Sequence, residues 1–146
     1  MPITIATYNN EVHRDQVVQL WRSIFGYDTP HNAPALAIDR KLAIDDGLFF
    51  VAVNDDAVLG TVVVGTVMAG YDGHRGWIYS LAVAPNYRGH GLGSRLLARA
   101  EDQLASRGCL KINLQVLPGN GNAQAFYEAN GYAVEERISM GKRLFT

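Results

Sequence analysis

Six consecutive residues, Arg88-Gly89-His90-Gly91-Leu92-Gly93, have the make-up of an anion-binding loop. Glycines at alternate positions let backbone N–H groups come close to a ligand, because no Cβ stands in the way. Residues 94–105 follow with Leu96, Leu97, Ala100 and Leu104 at helical spacing. The first N–H groups of such a helix have no internal partner, and its dipole favours negative charge. A phosphate group suits that place. Two nucleotide loops are excluded. A Walker loop ends Gly-Lys-Ser/Thr, whereas Gly93 is followed by Ser94 and Arg95. A dinucleotide loop needs a third glycine at position 94 and a later carboxylate for the ribose. Position 94 is Ser, and the next predicted strand, 110–117, has no carboxylate.

The pattern that is present, Arg-x-x-Gly-x-Gly, follows Leu81-Ala82-Val83 and Pro85, and it resembles the acetyl-CoA signature of the GNAT superfamily of N-acetyltransferases. The segment Asn120-Gly-Asn-Ala123-Gln-Ala-Phe126-Tyr127, with Gly131-Tyr132 after it, is similar to the family's Asn-x-x-Ala-x-x-x-Tyr helix and its Gly-aromatic ending. The run Tyr71-Asp72-Gly73-His74-Arg75-Gly76 and the later Gly141-Lys142-Arg143-Leu144 look like a subgroup of small bacterial single-domain members without an assigned substrate.

This resemblance implies an α+β, three-layer GNAT-like fold: a mixed, mostly antiparallel sheet flanked by helices, with a splayed central strand pair. Strands 77–83 and 110–117 would part, and the pantetheine arm of acetyl-CoA, the cosubstrate, would fill the gap like an added strand. The backbone of Leu81, Ala82 and Val83 would bind pantetheine and acetyl group, with an N–H near Ala82 as oxyanion donor. The pyrophosphate would lie on Gly89, His90, Gly91, Leu92, Gly93 and Ser94, with Arg88 as a charge partner. Asn120 would bind the cofactor or cap its helix. Tyr127 would be the general acid, since an ordinary tyrosine hydroxyl, with a pKa of about 10, stays protonated at neutral pH. The alternative is a core aromatic beside Phe126, and its position in the matched segment favours the catalytic reading.

The implied activity is transfer of an acetyl group to a primary amine of a small molecule, peptide or protein, directly from acetyl-CoA. The competing class is a non-catalytic acyl-CoA-binding regulatory module. Relatives that acetylate protein N-termini carry a glutamate five residues before the asparagine, and here that position is Gln115, whose amide is no base at neutral pH. Asp72, His74 or water remain as candidate bases, Asp72 and His74 reading equally as turn residues. Tyr79 and Ser80 are expected on the acceptor side of the central strand.

The elements that must hold these groups follow from periodicity. Residues 3–8 alternate as a strand, and Asn9 and Asn10 offer caps for a helix from Glu11 that Gly26 stops. Residues 27–34 read as a loop, which is either a plain surface connection or, in the fold the resemblance implies, the flank of the acceptor site where selectivity would lie. Residues 35–44 form a short helix with Leu36, Ile38, Leu42 and Ile44 inward and Asp39, Arg40 and Lys41 outward. Strands 48–53 and 58–68 make a hairpin about residues 54–57, with Gly60 and Gly65 marking a bulge or close approach. After the Asn120 helix, 132–136 and 138–144 read as two last strands.

With 146 residues the chain is expected to be one domain. A net charge of -1 gives no global attraction for nucleic acid or an anionic membrane. The lone Cys109 excludes an internal disulfide and reads as a buried small hydrophobe. The opening residues show no signal-peptide pattern and no span is apolar enough for a membrane helix, so a cytosolic protein is expected. No metal site is expected, and a two-fold homodimer is the default assembly.

Overall fold

The computed structural model describes residues 3–26, 33–56 and 58–145. They form two compact units, one running to Gln115 and one from Val116 onward. The first unit holds a five-stranded sheet whose spatial order is the chain order. Strands β1 (Ile3–Thr7), β2 (Phe49–Asp56), β3 (Gly60–Tyr71) and β4 (Gly76–Val83) are antiparallel neighbours, and β5 (Ile112–Asn113) joins β4 in parallel.

Helix α1 (Asn10–Phe25) starts and stops where its sequence says it should. The Asn9 side chain accepts the N–H groups of Glu11 and Val12, and Gly26 takes the left-handed conformation past the last turn. With α2 (Pro34–Ile44), it covers one sheet face, where Val17, Trp21 and Ile38 pack on Phe49, Val51, Val53, Val63, Met68 and Ala82. Helix α3 (Leu92–Ser106) covers the other face with Leu92, Leu96, Leu97, Ala100 and Leu104, all buried. Helix, sheet and helix make the expected three layers.

Three expectations are corrected. Lys41 points inward rather than outward: it is 5% exposed, its ammonium meets Asp46 Oδ2 at 2.8 Å and donates to Ala69 O, and it lies over the Tyr79 ring. Its aliphatic stem packs like a hydrophobe while the paired head is satisfied. Leu42 and Ile44 take the exposed side instead. The hairpin turn is also displaced. Strand β2 continues to Asp56, whose Oδ1 accepts from the N–H groups of Val58 and Leu59, so these two are exposed turn residues and not strand. Gly65 marks both a bulge and a close approach. Ala52 faces Gly65 while Val53 faces Val63, which leaves Val64 as the extra residue.

The third correction concerns the later strands. Strand β5 spans two residues where 110–117 was expected, and Leu110 is almost wholly exposed. In the second unit α4 (Gly121–Ala129) forms as expected, but no strand occurs among the described residues after Asn113. Apolar alternation provides one face of a strand, yet a strand also requires a partner for its backbone groups, and Val134, Ile138, Met140 and Leu144 remain exposed. Cys109 is half-buried, its thiol donating to Lys111 O at 3.3 Å. Residues 27–32 of the expected selectivity loop lie outside the described residues. No helix among the described residues is long and apolar enough to cross a membrane.

Candidate active site

Strand β4 changes sides partway along. The Gly76 N–H donates to Lys111 O beside β5 at 2.9 Å, whereas the Ala84 N–H donates to Val64 O in β3 at 2.8 Å. These residues are an even number apart, so an unbroken strand would turn both groups to the same edge. The register shows where the parity is lost: Met68 faces Tyr79 and Thr66 faces Ala82, so Ser80 and Leu81 together oppose Val67. This is a β-bulge. Beyond it Ala82 faces β3, and Leu81 and Val83 turn their backbone groups toward the β5 side.

That side is open. Pairing of β4 with β5 ends at Trp77 and Asn113. Strand pairing along this edge therefore stops just before the bulge.

Ser80 holds the turn of the strand. Its φ is +52°, left-handed for a residue with a Cβ; the other non-glycine with positive φ among the described residues is Asp45, at the C-cap of α2. A left-handed non-glycine costs on the order of 1–3 kcal/mol and persists only where its surroundings enforce it. Here the Ser80 carbonyl accepts the Thr66 hydroxyl at 2.8 Å, and Thr66 Oγ1 accepts the Trp21 indole N–H at 2.8 Å. Thr66 and Trp21 are both fully buried. Sequence reading placed Trp21 on a helix face and assigned Thr66 nothing. Trp21 and Ser80 each lie far along the chain from or across the sheet to Thr66, so no local motif could announce the connection.

Past Val83 the chain makes a short 3₁₀ turn, Pro85–Tyr87, where the Tyr87 hydroxyl accepts from Asn54 Nδ2 at 3.0 Å. Arg88 folds back so that its Nε donates to Val83 O at 2.9 Å. Gly89 and Gly91 have φ of +83° and +78°, and a Cβ on either would meet nothing within 4 Å. Both glycines thus take a left-handed conformation that a residue with a Cβ rarely adopts. Helix α3 begins at Leu92, two residues earlier than expected, so Gly93 and Ser94 belong to its first turn. Gly91 is the N-cap and no side chain caps the helix; Arg95 N–H is bonded to Gly91 O, and the N–H groups of Leu92, Gly93 and Ser94 precede the internal ladder. His90 is exposed in the same loop.

On the α1/α2 face, Tyr79 lies across from Met68 with its ring near Gly70, and it is half-exposed, as is Trp77 two residues before it. Ser80 is half-buried. Asp72 accepts the N–H groups of Arg75 and His74, both at 2.7 Å. Those two bonds hold its carboxyl below the ordinary range, which makes it a weaker proton acceptor than a free aspartate. Its observed work is to close the turn; His74 is exposed on that turn.

In the second unit, the Asn120 side chain accepts from Ala123 N–H at 3.2 Å and caps α4. The Tyr127 ring meets Phe126 and Tyr132 edge-on, with centroids 5.1 and 5.8 Å away. Burial pushes its hydroxyl up to about 12, so the group is a proton donor throughout the neutral range.

The acetyltransferase (GNAT) family profile matches residues 14–132. An acetyltransferase of Yersinia pestis (strain Pestoides F) is 43% identical over 130 residues, covering 89% of this chain and 88% of that protein. Two solved structures share the fold. The aminoglycoside N-acetyltransferase AAC(6')-Iy, in complex with a bisubstrate analogue, superposes with a TM-score of 0.75 at 18% identity, over 98% of this chain and 99% of that one. PaiA N-acetyltransferase from Thermoplasma acidophilum, in complex with coenzyme A, gives 0.77 at 18% identity over 94% of each chain.

Proposed function

The chain belongs to the acetyltransferase (GNAT) family, and from that premise we propose that it moves an acetyl group from acetyl-CoA directly to a primary amine of a small molecule, peptide or protein. The observation that carries this reading is the changed parity of β4. Leu81 and Val83 face an unpaired edge, and the same strand runs straight into the loop at the uncapped start of α3. One end of this path suits an extended chain of amides; the other suits phosphates.

In this reading the pantetheine arm bonds to the backbone of Leu81 and Val83, taking over the Val83 carbonyl that Arg88 now occupies. The pyrophosphate takes the N–H groups from Gly89 to Ser94, with Arg88 and the α3 dipole offsetting its charge. The Leu81 N–H, next to Ala82 and on the open side, is the oxyanion donor. A preorganised donor of this kind is worth about 3 kcal/mol of transition-state stabilisation.

The amine nitrogen attacks the thioester carbon, and the carbonyl oxygen becomes an oxyanion. As that oxyanion collapses the C–S bond breaks, leaving an amide and a thiolate. Proton balance then requires the amine to lose one proton and the sulfur to gain one. Tyr127 donates to the sulfur and regains a proton from water, and its high pKa favours a hydroxyl that is protonated at the start of every turnover. The amine's proton leaves through His74 or water, since Asp72 is committed to its turn. The half-exposed Trp77 and Tyr79 border the acceptor. Asn120 caps the helix that carries Tyr127.

The test is a calorimetric titration with acetyl-CoA, coupled to thiol release across a panel of small amines, peptides with free N-termini and lysine peptides. Binding with amine-dependent release is expected. Binding with no release from any amine would favour a regulatory acyl-CoA-binding module, and absence of binding would remove the assignment of β4 and its loop.

A further inference from the structure

We propose that Trp21 and Thr66 are positioning residues for acetyl transfer: a buried hydrogen-bond relay from α1 through β3 holds the Ser80 carbonyl, and with it the bulge that aims the Leu81 N–H out of the sheet. The inference rests on the reading of the β4 edge as the thioester site.

The direction of the relay is fixed by chemistry. An indole N–H can only donate and a carbonyl can only accept, whereas a hydroxyl has one proton and two lone pairs. Thr66 must therefore accept from Trp21 Nε1 and donate to Ser80 O, both at 2.8 Å. Removing the hydroxyl takes this bond away from both the fully buried Trp21 N–H and the half-buried Ser80 carbonyl. The indole bond also stops the Thr66 hydroxyl from rotating to another acceptor, because it occupies the lone pair opposite the donated proton.

What the relay holds is a conformation that the chain does not favour. Ser80 has φ of +52° in mid-strand, and the bulge there is what shifts Leu81 and Val83 to the open side. If Ser80 relaxes to an extended conformation, the parity of β4 is restored and Leu81 turns back toward β3. Pairing up to Tyr79 would be kept, while beyond Ser80 the residues would change faces and the oxyanion donor would point the wrong way. A small loss of position at a reacting centre is felt mainly in turnover.

Three variants test this: Thr66→Val, which keeps shape and loses the hydroxyl; Thr66→Ser, which restores it; and Trp21→Phe, which keeps a ring and loses the N–H. Each is checked for folding by its thermal transition, then for acetyl-CoA affinity by calorimetry and for kcat and KM with the amine that gives most thiol release. Thr66→Val is expected to lower kcat about tenfold or more while KM for acetyl-CoA moves less than about threefold. Thr66→Ser should recover most of that loss, and Trp21→Phe should show a smaller fall in kcat of the same kind. If Thr66→Val fails to fold, the Trp21→Phe and Thr66→Ser pair is read alone, and Trp21→Phe with parental kcat overturns the proposal. Folded Thr66→Val with parental kcat overturns it too, as does a loss confined to stability that serine does not recover. Failure of the parent protein to bind acetyl-CoA is a separate result that overturns the thioester site itself.

Discussion

Gly65 of β3 lies directly beneath Leu96 of α3: a Cβ on Gly65 would stand 2.8 Å from Leu96 Cδ1 and 3.0 Å from Ala82 O. The leucine end can swing aside, but the carbonyl is backbone of β4, between Leu81 and Val83. Gly65→Ala should therefore lower stability by about 1–3 kcal/mol and also weaken acetyl-CoA binding. Chemical denaturation and calorimetry check the two effects. A stability change within about 0.5 kcal/mol, as for an ordinary surface site, would show that the approach relaxes freely.

Ser94→Glu separates the anion site from the fold. A carboxylate in the first turn of α3 interacts favourably with the helix dipole, by about 0.3–1 kcal/mol, so the melting temperature should hold or rise. The same charge occupies the place of a phosphate. Acetyl-CoA affinity should fall about tenfold or more, the effect of 1.4 kcal/mol of lost binding. Unchanged affinity would move the phosphates elsewhere.

Tyr127→Phe should lower turnover by about tenfold or more with little change in acetyl-CoA affinity. The hydroxyl is a weak acid whose pKa is raised to about 12 by burial. It thus stays protonated well past an ordinary tyrosine, and the parent rate should show no loss from its ionisation between about pH 8 and pH 10. An alkaline fall in that window that disappears in Tyr127→Phe would contradict the assignment of a high pKa.

His13 sets a stability limit in acid. Burial lowers its pKa from the usual 6.5, and its Nδ1 accepts the Asn9 N–H at 2.9 Å at the start of α1. The folded protein thus favours the neutral ring more than the unfolded chain does. Its contribution is fully present above the unfolded pKa and is lost as pH falls through the folded one. The melting temperature should drop on acidification below about pH 6.5, and His13→Gln should reduce that drop. Parallel pH profiles for the two proteins would exclude His13 as the cause.

Most of the scaffold was legible because its signals are local. Asn9 and Gly26 bracket α1 by their own side-chain and backbone chemistry, and Gly89 and Gly91 mark the loop by the φ they allow. Lys41 misled because charge was read as exposure, when a long stem and a carboxylate partner at Asp46 satisfy a buried ammonium. Residues 110–117 and 132–144 misled because alternation says what a strand could bury without saying whether an edge is free to pair with it. Arg88 to Ser94 and Tyr127 were each visible as motifs. The bulge at Ser80, with Thr66 and Trp21 behind it, was not, because the contacts that stabilise a left-handed serine come from another strand and another helix.

Amide hydrogen exchange at Leu81 and Val83, read residue by residue with and without acetyl-CoA, tests the open edge most directly. In the free protein these two amides should exchange fast while Ala82 and Ala84, bonded toward β3, are already protected; acetyl-CoA should protect Leu81 and Val83. If acetyl-CoA binds and both amides keep their free rates, the edge of β4 is not where the thioester lies.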